Sequence, residues 1–173
     1  HWIHQSKSTV PKIFLIFSPC STLSANSTTA SSPSPIQTTS ILSSSIKSLK
    51  KVAEKGLEFI KKKSKDIPNE STDWTFVFRD YYESLRGLIE AYLLFGNIEV
   101  DNHQCKNAYI CFKHPELEID WEFLETIRLK RNAINYKGQL LKHEDWQMLK
   151  LKFELHISLL KNKIEEKLTK WST

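Results

Sequence analysis

Glycine and proline are scarce in most of this chain, and their scarcity favours helices. The 173 residues include only 4 glycines and 6 prolines, and four of those prolines fall within the first 35 positions. Because glycine and proline interrupt helices most often, the later sequence carries few helix-breaking signals. The pattern predicts an irregular head followed by a helical body.

Cysteine is also rare, and no two cysteines have the close spacing of a metal or redox motif. The three cysteines are Cys20, Cys105 and Cys111. This odd set argues against a disulfide framework and against a zinc site of the Cys-x-x-Cys type. A reducing, cytoplasmic location is therefore the expectation.

Long apolar runs are missing too. The apolar run at 13–17 is far shorter than the roughly 20 residues of a membrane span, and it is short for the core of a secretory signal. No membrane partner is expected. Lys and Arg total 25 against 20 acidic residues, a formal charge of +5 that is compatible with a polyanionic partner without demonstrating one. No phosphate-binding glycine loop, zinc helix or serine nucleophile motif occurs, so no cofactor or metal is expected.

The composition changes near residue 41. Residues 1–40 are rich in Ser, Thr and Pro and are predicted to be disordered, since they cannot bury enough apolar surface to offset the entropy of ordering. Whether this head belongs to the native protein is left open. Residues 41–173 are predicted to form one helical domain.

Apolar residues in this body recur at helical spacing, and capping residues separate five segments. The first predicted helix spans about 41–66, and the second follows Asn69 or Ser71 and ends at Gly96–Asn97. The third spans about 102–113, the fourth spans 121–137 after its cap Asp120, and the fifth follows His143–Glu144–Asp145 and continues to about Lys170. The apolar residues expected to face the core include Ala108, Tyr109 and Phe112 of the third helix, and Trp146, Leu149, Phe153, Ile157, Leu160, Ile164 and Leu168 of the fifth. The fold class is predicted to be all-α, an up-and-down antiparallel bundle of four to five helices.

The fourth helix carries a polar stripe. Arg128, Arg131, Asn132 and Asn135 share one face, where two guanidinium groups and two amides could hold a phosphate. The alternative is that Arg128 pairs with a surface carboxylate while residues 135–136 merely end the helix.

On the second helix, Glu83, Arg86 and Glu90 stand at spacings of three and four. They form either an ordinary surface ion-pair ladder or a set that orients Arg131 across the bundle. His103 and Cys105 fall on different faces of a helix, so packing and capping are favoured over a metal. Lysines between 47 and 65 form either a solvated face or a track for RNA.

Two segments resemble a known family. The first is the tyrosine-rich stretch 81–94, followed by Gly96 and then His103–Gln104–Cys105; the second is 127–138, with its adjacent Arg131–Asn132 pair. Over roughly residues 45–170 the chain is similar to HEPN (higher eukaryote and prokaryote nucleotide-binding) domains of the stand-alone archaeal and bacterial type.

The resemblance implies a helical bundle that forms a homodimer, with two Arg-Asn motifs in one cleft. It also implies metal-independent ribonuclease activity in the catalytic members, which are commonly toxins partnered with a minimal nucleotidyltransferase. By motif match, Arg131 binds phosphate and stabilises the transition state, Asn132 fixes the local geometry, and Tyr136 takes the place of a histidine. Arg128, Asn135 and Lys137 are assigned to binding RNA or nucleotide.

Tyr136 departs from the family pattern and opens the question of cleavage. A phenol with a pKa of about 10 is a poor base at neutral pH, where a histidine serves well. One hypothesis is an RNA-directed module, either an endoribonuclease or its weakened descendant. A second is a non-catalytic module that binds a nucleotide or a partner such as a nucleotidyltransferase antitoxin. A third is a helical bundle in which the Arg-Asn stripe has no function.

Overall fold

Five helices make up most of the computed structural model, which describes residues 35–100 and 102–171. They are α1 (Pro35–Lys63), α2 (Trp74–Leu93), α3 (His103–Lys113), α4 (Trp121–Lys137) and α5 (His143–Trp171). Short 3-10 turns follow α1, α2 and α3, and the described residues contain no strand. The all-α class predicted from the sequence is confirmed. None of the described helices is both long and apolar enough to cross a membrane.

Local capping signals set most of the helix boundaries. The carboxylate of Asp120 accepts a hydrogen bond from the backbone N–H of Phe123 at 3.0 Å, and α4 ends at Gly138 with φ of 64°. Both were predicted, because a carboxylate satisfies a free N–H of the first turn and glycine adopts the left-handed conformation easily. After α2 the left-handed residue is Asn97, with φ of 51°.

Two boundaries differ from the prediction. Helix α1 begins at Pro35, so residues 35–40 are helical and not disordered as predicted. Proline is tolerated in the first turn of a helix because the N–H that it lacks has no partner there. Helix α2 begins at Trp74, and the Ser71 hydroxyl accepts from the N–H of Asp73 in the preceding turn. Neither Asn69 nor Ser71 therefore caps the helix directly. The rest of the predicted disordered head, residues 1–34, lies outside the described residues.

The core is built mainly from α2 and α5. All seven core positions predicted on α5 are buried. Phe153 is fully buried, and its ring centroid lies 5.7 Å from that of Phe78, 5.2 Å from that of Phe123 and 5.8 Å from that of Tyr81. Edge-to-face contacts at these distances join α2, α4 and α5.

The predicted inner face of α3 is only partly correct. Ala108 is buried, but Tyr109 is half-buried and Phe112 is 39 % exposed, where it packs on Trp121. The buried positions are instead Lys106, Asn107, Ala108 and Ile110. Two of these are polar, and hydrophobicity alone therefore assigned the wrong stripe to the core.

Helix α1 runs antiparallel to both α2 and α5. A Cβ at Gly87 would lie 3.9 Å from Cβ of Ala53, and one at Gly56 would lie 3.4 Å from Oγ of Ser84. Three ion pairs then link α1 to α5 in opposite sequence order: Lys50–Glu165, Glu54–Lys161 and Lys61–Glu154.

The strict up-and-down order fails at α2 and α3, which run in the same direction. Tyr82 contacts His103 at the start of α3, and Tyr92 stacks edge-on against His114 at its end, with ring centroids 5.1 Å apart. Helix α3 is short and its buried side chains include charged and amide groups. It therefore lies along the polar flank of α2, where those groups find partners.

The cysteines also differ from expectation. Cys105 is disulfide-bonded, whereas the odd number of cysteines and the absence of a Cys-x-x-Cys pair argued against a disulfide framework. Cys111 is a free, half-buried thiol. Burial raises the pKa of Cys111 to about 12, so the thiol is protonated at neutral pH.

Phe153→Ala tests the position of the core. The substitution should lower the free energy of unfolding by roughly 3–5 kcal/mol, because it opens a cavity among three neighbouring rings. Leu151→Ala, two residues away and 76 % exposed, should change it by less than about 0.5 kcal/mol. Urea unfolding followed by circular dichroism measures both. Similar losses for the two variants would contradict the burial of Phe153.

Candidate functional site

Arg131 lies on the side of α4 that faces α2. Its side chain is 20 % exposed, and Nη2 lies 3.5 Å from Oε1 of Glu83. The guanidinium carbon is 5.9 Å from the centre of the Tyr82 ring. This contact agrees with the interpretation in which a carboxylate of α2 orients Arg131.

Asn135 holds the same guanidinium from within α4. In the amide orientation that satisfies both groups, its side-chain oxygen accepts from Nε and Nη1 of Arg131 at 3.2 and 3.3 Å. Asn135 therefore orients the guanidinium in this arrangement, and Glu83 adds a second contact. The Glu83 contact is at the outer limit of a hydrogen bond, so that partner binds Arg131 only weakly.

Arg128 is paired much more tightly. Its Nε lies 3.0 Å and its Nη2 2.7 Å from the carboxylate oxygens of Glu125, a two-pronged contact between side chains only 17 % and 15 % exposed. The amide of Asn107 also donates to Glu125. Arg128 thus pairs with a carboxylate, as the alternative interpretation of the polar stripe expected. That carboxylate is largely buried, whereas the interpretation placed it on the surface. Arg128 is next to the site, but its donor groups are already bonded to Glu125.

The predicted ladder on α2 is present. Arg86 donates to Glu83 at 2.7 Å and to Glu90 at 3.0 Å, and Lys106 of α3 also donates to Glu90. The two interpretations of these residues are therefore compatible, since Glu83 contacts both Arg86 and Arg131. Lys106 is only 8 % exposed, and a cation buried to that extent needs the carboxylate beside it.

Tyr82 and His103 join this group, and the sequence assigned a functional role to neither. The Tyr82 hydroxyl lies 2.9 Å from Nδ1 of His103. Burial raises the pKa of Tyr82 to about 12. Burial also lowers the pKa of His103, and the positive charges of Arg86, Lys106 and Arg131 lower it further. Both side chains are consequently neutral at neutral pH. The only sequence signal was that both lie in or next to the family-like segments.

A cavity of about 10 Å³ lies between α2, α3 and α4 beneath these groups. Its lining combines apolar side chains with the polar ones of the cluster: Tyr82, Leu85, Arg86, Ile89, His103, Lys106, Asn107, Leu124 and Ile127. That volume admits about one water molecule. A nucleotide or an RNA phosphate could therefore contact this cluster only from its outer surface.

The remaining predicted site residues are Asn132, Tyr136 and Lys137. Asn132 is half-buried, whereas Tyr136 is 78 % exposed and Lys137 is also exposed. Tyr136 is five positions after Arg131, which places the two side chains about 140° apart around the helix. The structure therefore brings Arg131 together with Glu83, Arg86, Glu90 and Asn135, and it directs Tyr136 elsewhere.

The donor groups of the cluster suit an anion better than a cation. Among the described residues, no group of three or more His, Cys, Asp and Glu side chains could hold a metal ion. Guanidinium, ammonium and amide groups donate hydrogen bonds to phosphate oxygens.

Comparison with known proteins gives no relative for this chain. No family model matches it, and no curated protein or solved structure matches it either. None of these comparisons supports the resemblance to HEPN domains noted in the segments 81–105 and 127–138, so the functions that the resemblance implies are proposals.

The titration of His103 tests the electrostatics of the cluster. Its folded-state pKa should lie below the ordinary value of 6.5, and Arg86→Gln should raise it, because a nearby positive charge is removed. The ¹³Cε1 shift of the ring, followed by NMR from pH 4.5 to 8, measures this pKa. Arg79→Gln, which changes an exposed arginine on the same helix, should leave it unchanged.

The same titration has a consequence for stability. Because the unfolded chain protonates this imidazole more readily, the contribution of His103 to stability is complete above about pH 6.5 and declines as the pH falls below that value. A pKa above 6.5 in the folded protein, or one that does not respond to Arg86→Gln, would contradict the described surroundings of His103.

Proposed function

We propose that this chain is a HEPN-like module that binds RNA or a nucleotide, with Arg131 as the phosphate contact. The observation that carries the proposal is the guanidinium of Arg131, which Asn135 holds when its amide oxygen faces it, which Glu83 contacts only weakly, and which is still partly exposed. A pre-oriented guanidinium loses little entropy when it binds a phosphate.

The ion-pair distances single out Arg131 among the cations of the cluster. Arg86 and Arg128 each have a carboxylate oxygen at 2.7 Å, and Lys106 is bonded to Glu90, whereas the nearest carboxylate oxygen to Arg131 is at 3.5 Å. Arg131 is thus the cation that exchanges its partner for a phosphate at the lowest cost. Four cations against three carboxylates also leave the cluster with one excess positive charge, counted over Arg86, Lys106, Arg128 and Arg131 and over Glu83, Glu90 and Glu125.

The position of Tyr136 favours binding over cleavage by that residue. A group that moves a proton must reach the reacting oxygen, and Tyr136 is directed away from the Arg131 guanidinium. A ribonuclease reaction at this site therefore needs a proton acceptor other than Tyr136.

A second function, protein binding, is favoured by exposed apolar side chains on two neighbouring helices. Leu129 and Tyr136 of α4 and Met148, Leu151 and Leu155 of α5 are between 58 % and 78 % exposed. The ion pairs Lys130–Asp145 and Lys152–Asp120 join the two helices beside them. We name these five side chains the outer face, and we propose that a second copy of the chain docks there, with a nucleotidyltransferase partner as the competing occupant.

The outer face and Arg131 lie on different sides of α4. Leu129 and Arg131 are two residues apart, about 200° around the helix. A homodimer formed through the outer face therefore does not bring two Arg131 side chains into one cleft, unlike the arrangement that the family resemblance implies.

Arg131→Ala should weaken binding of a fluorescein-labelled single-stranded RNA by about 10- to 100-fold, which corresponds to the loss of one charged hydrogen-bonding group of roughly 1.5–3 kcal/mol. Fluorescence anisotropy at two salt concentrations measures the affinity, and thermal shift with ATP or GMP tests nucleotides in the same variant. Arg79→Ala removes an equal charge from the exposed side of α2 and serves as the control. Equal binding by the wild-type protein and the Arg131 variant would reject the proposed site.

Leu155→Glu should convert a dimer into a monomer, because it places a charge within the outer face. Size-exclusion chromatography with light scattering measures the mass. Val52→Glu, at a residue of α1 that is 69 % exposed, should leave the dimer intact. A wild-type protein that is monomeric at tens of micromolar would exclude the second copy, and the nucleotidyltransferase would then be tested as the occupant.

A further inference from the structure

A second cavity, of about 430 Å³, lies between α1 and α5, with α2 at its base. Its apolar wall is formed by Leu57, Tyr81 and Ile157, one residue from each of these three helices. A volume of this size and a partly apolar wall are typical of sites for small molecules. The residues that line this cavity do not include any of the cluster around Arg131, so a ligand here does not depend on the proposed phosphate contact.

Tyr81 presents one polar group to this cavity. Its ring lies against the core rings of Trp146 and Phe153, with centroids 4.6 and 5.8 Å away, and the residue is only 2 % exposed. Its hydroxyl has no hydrogen-bond partner within residues 35–100 and 102–171. Because the hydroxyl of a tyrosine buried to this extent usually has a partner, this one is a contact for a polar ligand.

The charge next to that hydroxyl is negative. Burial and then the nearby carboxylate of Glu154 raise the pKa of Tyr81 to about 12, so the phenol is neutral at neutral pH. In the described part of the chain Glu154 has a single ion pair, with Lys61 at 3.8 Å, which is too long for a hydrogen bond. The Glu154 side chain is 38 % exposed. The phenol oxygen and the carboxylate are therefore two neighbouring acceptors that a donor group from a ligand can reach.

The other charged groups of the lining agree with a cationic ligand. Three carboxylates face two lysines: Glu54, Glu58 and Glu154 against Lys61 and Lys161. Glu54 pairs with Lys161 at 3.1 Å, and Glu58 pairs with Lys55 at 2.7 Å. Glu154 is thus the carboxylate of this cavity that exchanges its partner most easily.

We propose that this cavity binds a primary alkylammonium group, which donates hydrogen bonds to Glu154 and to the Tyr81 hydroxyl. An ammonium carries three donors and no acceptor, which matches two acceptors facing the same space. The alkyl chain of the ligand then packs on Leu57 and Ile157 and is removed from water. Two sources supply such a group, a free amine and the lysine side chain of another protein.

The head group of the ligand is tested by NMR titration of the full, ¹⁵N-labelled chain at pH 7. The probe is n-pentylamine, and its shifts in amide resonances of α1 and α5 should saturate. Pentanoate and 1-pentanol carry the same number of carbons with an anionic or a neutral head. Both should bind at least about 10-fold more weakly than pentylamine, because neither supplies a charged donor to Glu154.

Four variants test the residues. Glu154→Gln should weaken binding of pentylamine by about 10-fold, and Tyr81→Phe, which keeps the ring and its packing, by about threefold. Lys61→Gln should instead strengthen binding, because it removes the cation that competes for Glu154. Glu144→Gln, at an exposed carboxylate on the same helix, should leave the affinity unchanged. Thermal melts without amine show that each variant is folded.

Several results would overturn the site: no saturable shifts with pentylamine, pentanoate or pentanol bound as tightly as the amine, or equal affinity of the wild-type protein and Glu154→Gln. Weaker binding by Lys61→Gln would also overturn it, since the ligand would then need the lysine and not the carboxylate. If the site is supported, N-acetyl-lysine methylamide identifies the source. Binding at least as tight as that of pentylamine indicates a lysine side chain of a protein, and weaker binding indicates a free amine.

Discussion

The packing of α2 against α5 is the interaction on which the other helices depend. Phe78 and Tyr81 of α2 contact Phe153 of α5 through their ring edges, and Tyr81 also contacts Trp146. With this apolar side of α2 buried, its other flank carries Glu83, Arg86 and Glu90 toward α3 and α4. The same helix therefore supplies the centre of the core and one wall of the candidate site.

Charge pairing constrains that polar flank. A cation such as Lys106, which is only 8 % exposed, needs a carboxylate close by, and Glu90 supplies it while also accepting from Arg86. Glu83 is shared in the same way between Arg86 and Arg131, with the shorter contact going to Arg86. Because its contact with Glu83 is the weaker one, Arg131 is available to an anion. The proposed anion binding at Arg131 thus depends on the stronger contact of Glu83 with Arg86 than with Arg131.

Local sequence patterns predicted the parts of the fold that local physics decides. The seven buried positions of α5, the cap at Asp120 and the stop at Gly138 depend on helical periodicity and backbone geometry, which short stretches of sequence encode. The exposed Phe112 and the parallel course of α2 and α3 depend on contacts between distant segments. Periodicity within one helix contains no information about them.

The candidate site shows the same division. Spacing within a helix predicted that Arg131 and Asn135 share a face, and it predicted the Glu83–Arg86–Glu90 ladder. The pair Tyr82–His103 joins residues 21 positions apart on separate helices, so no motif indicated it. The Tyr136 assignment came from family position alone, which does not give the direction of a side chain around a helix that ends two residues later.

Helix α4 consequently contributes side chains to two separate surfaces. Arg131 belongs to the corner formed with α2 and α3, while Leu129 and Tyr136 belong to the outer surface shared with α5. An occupant of one side leaves the other accessible, so a protein partner and a phosphate ligand need not compete for the same space. Helix α4, capped by Asp120 at its start and ended by Gly138, carries side chains of both surfaces on one rigid element.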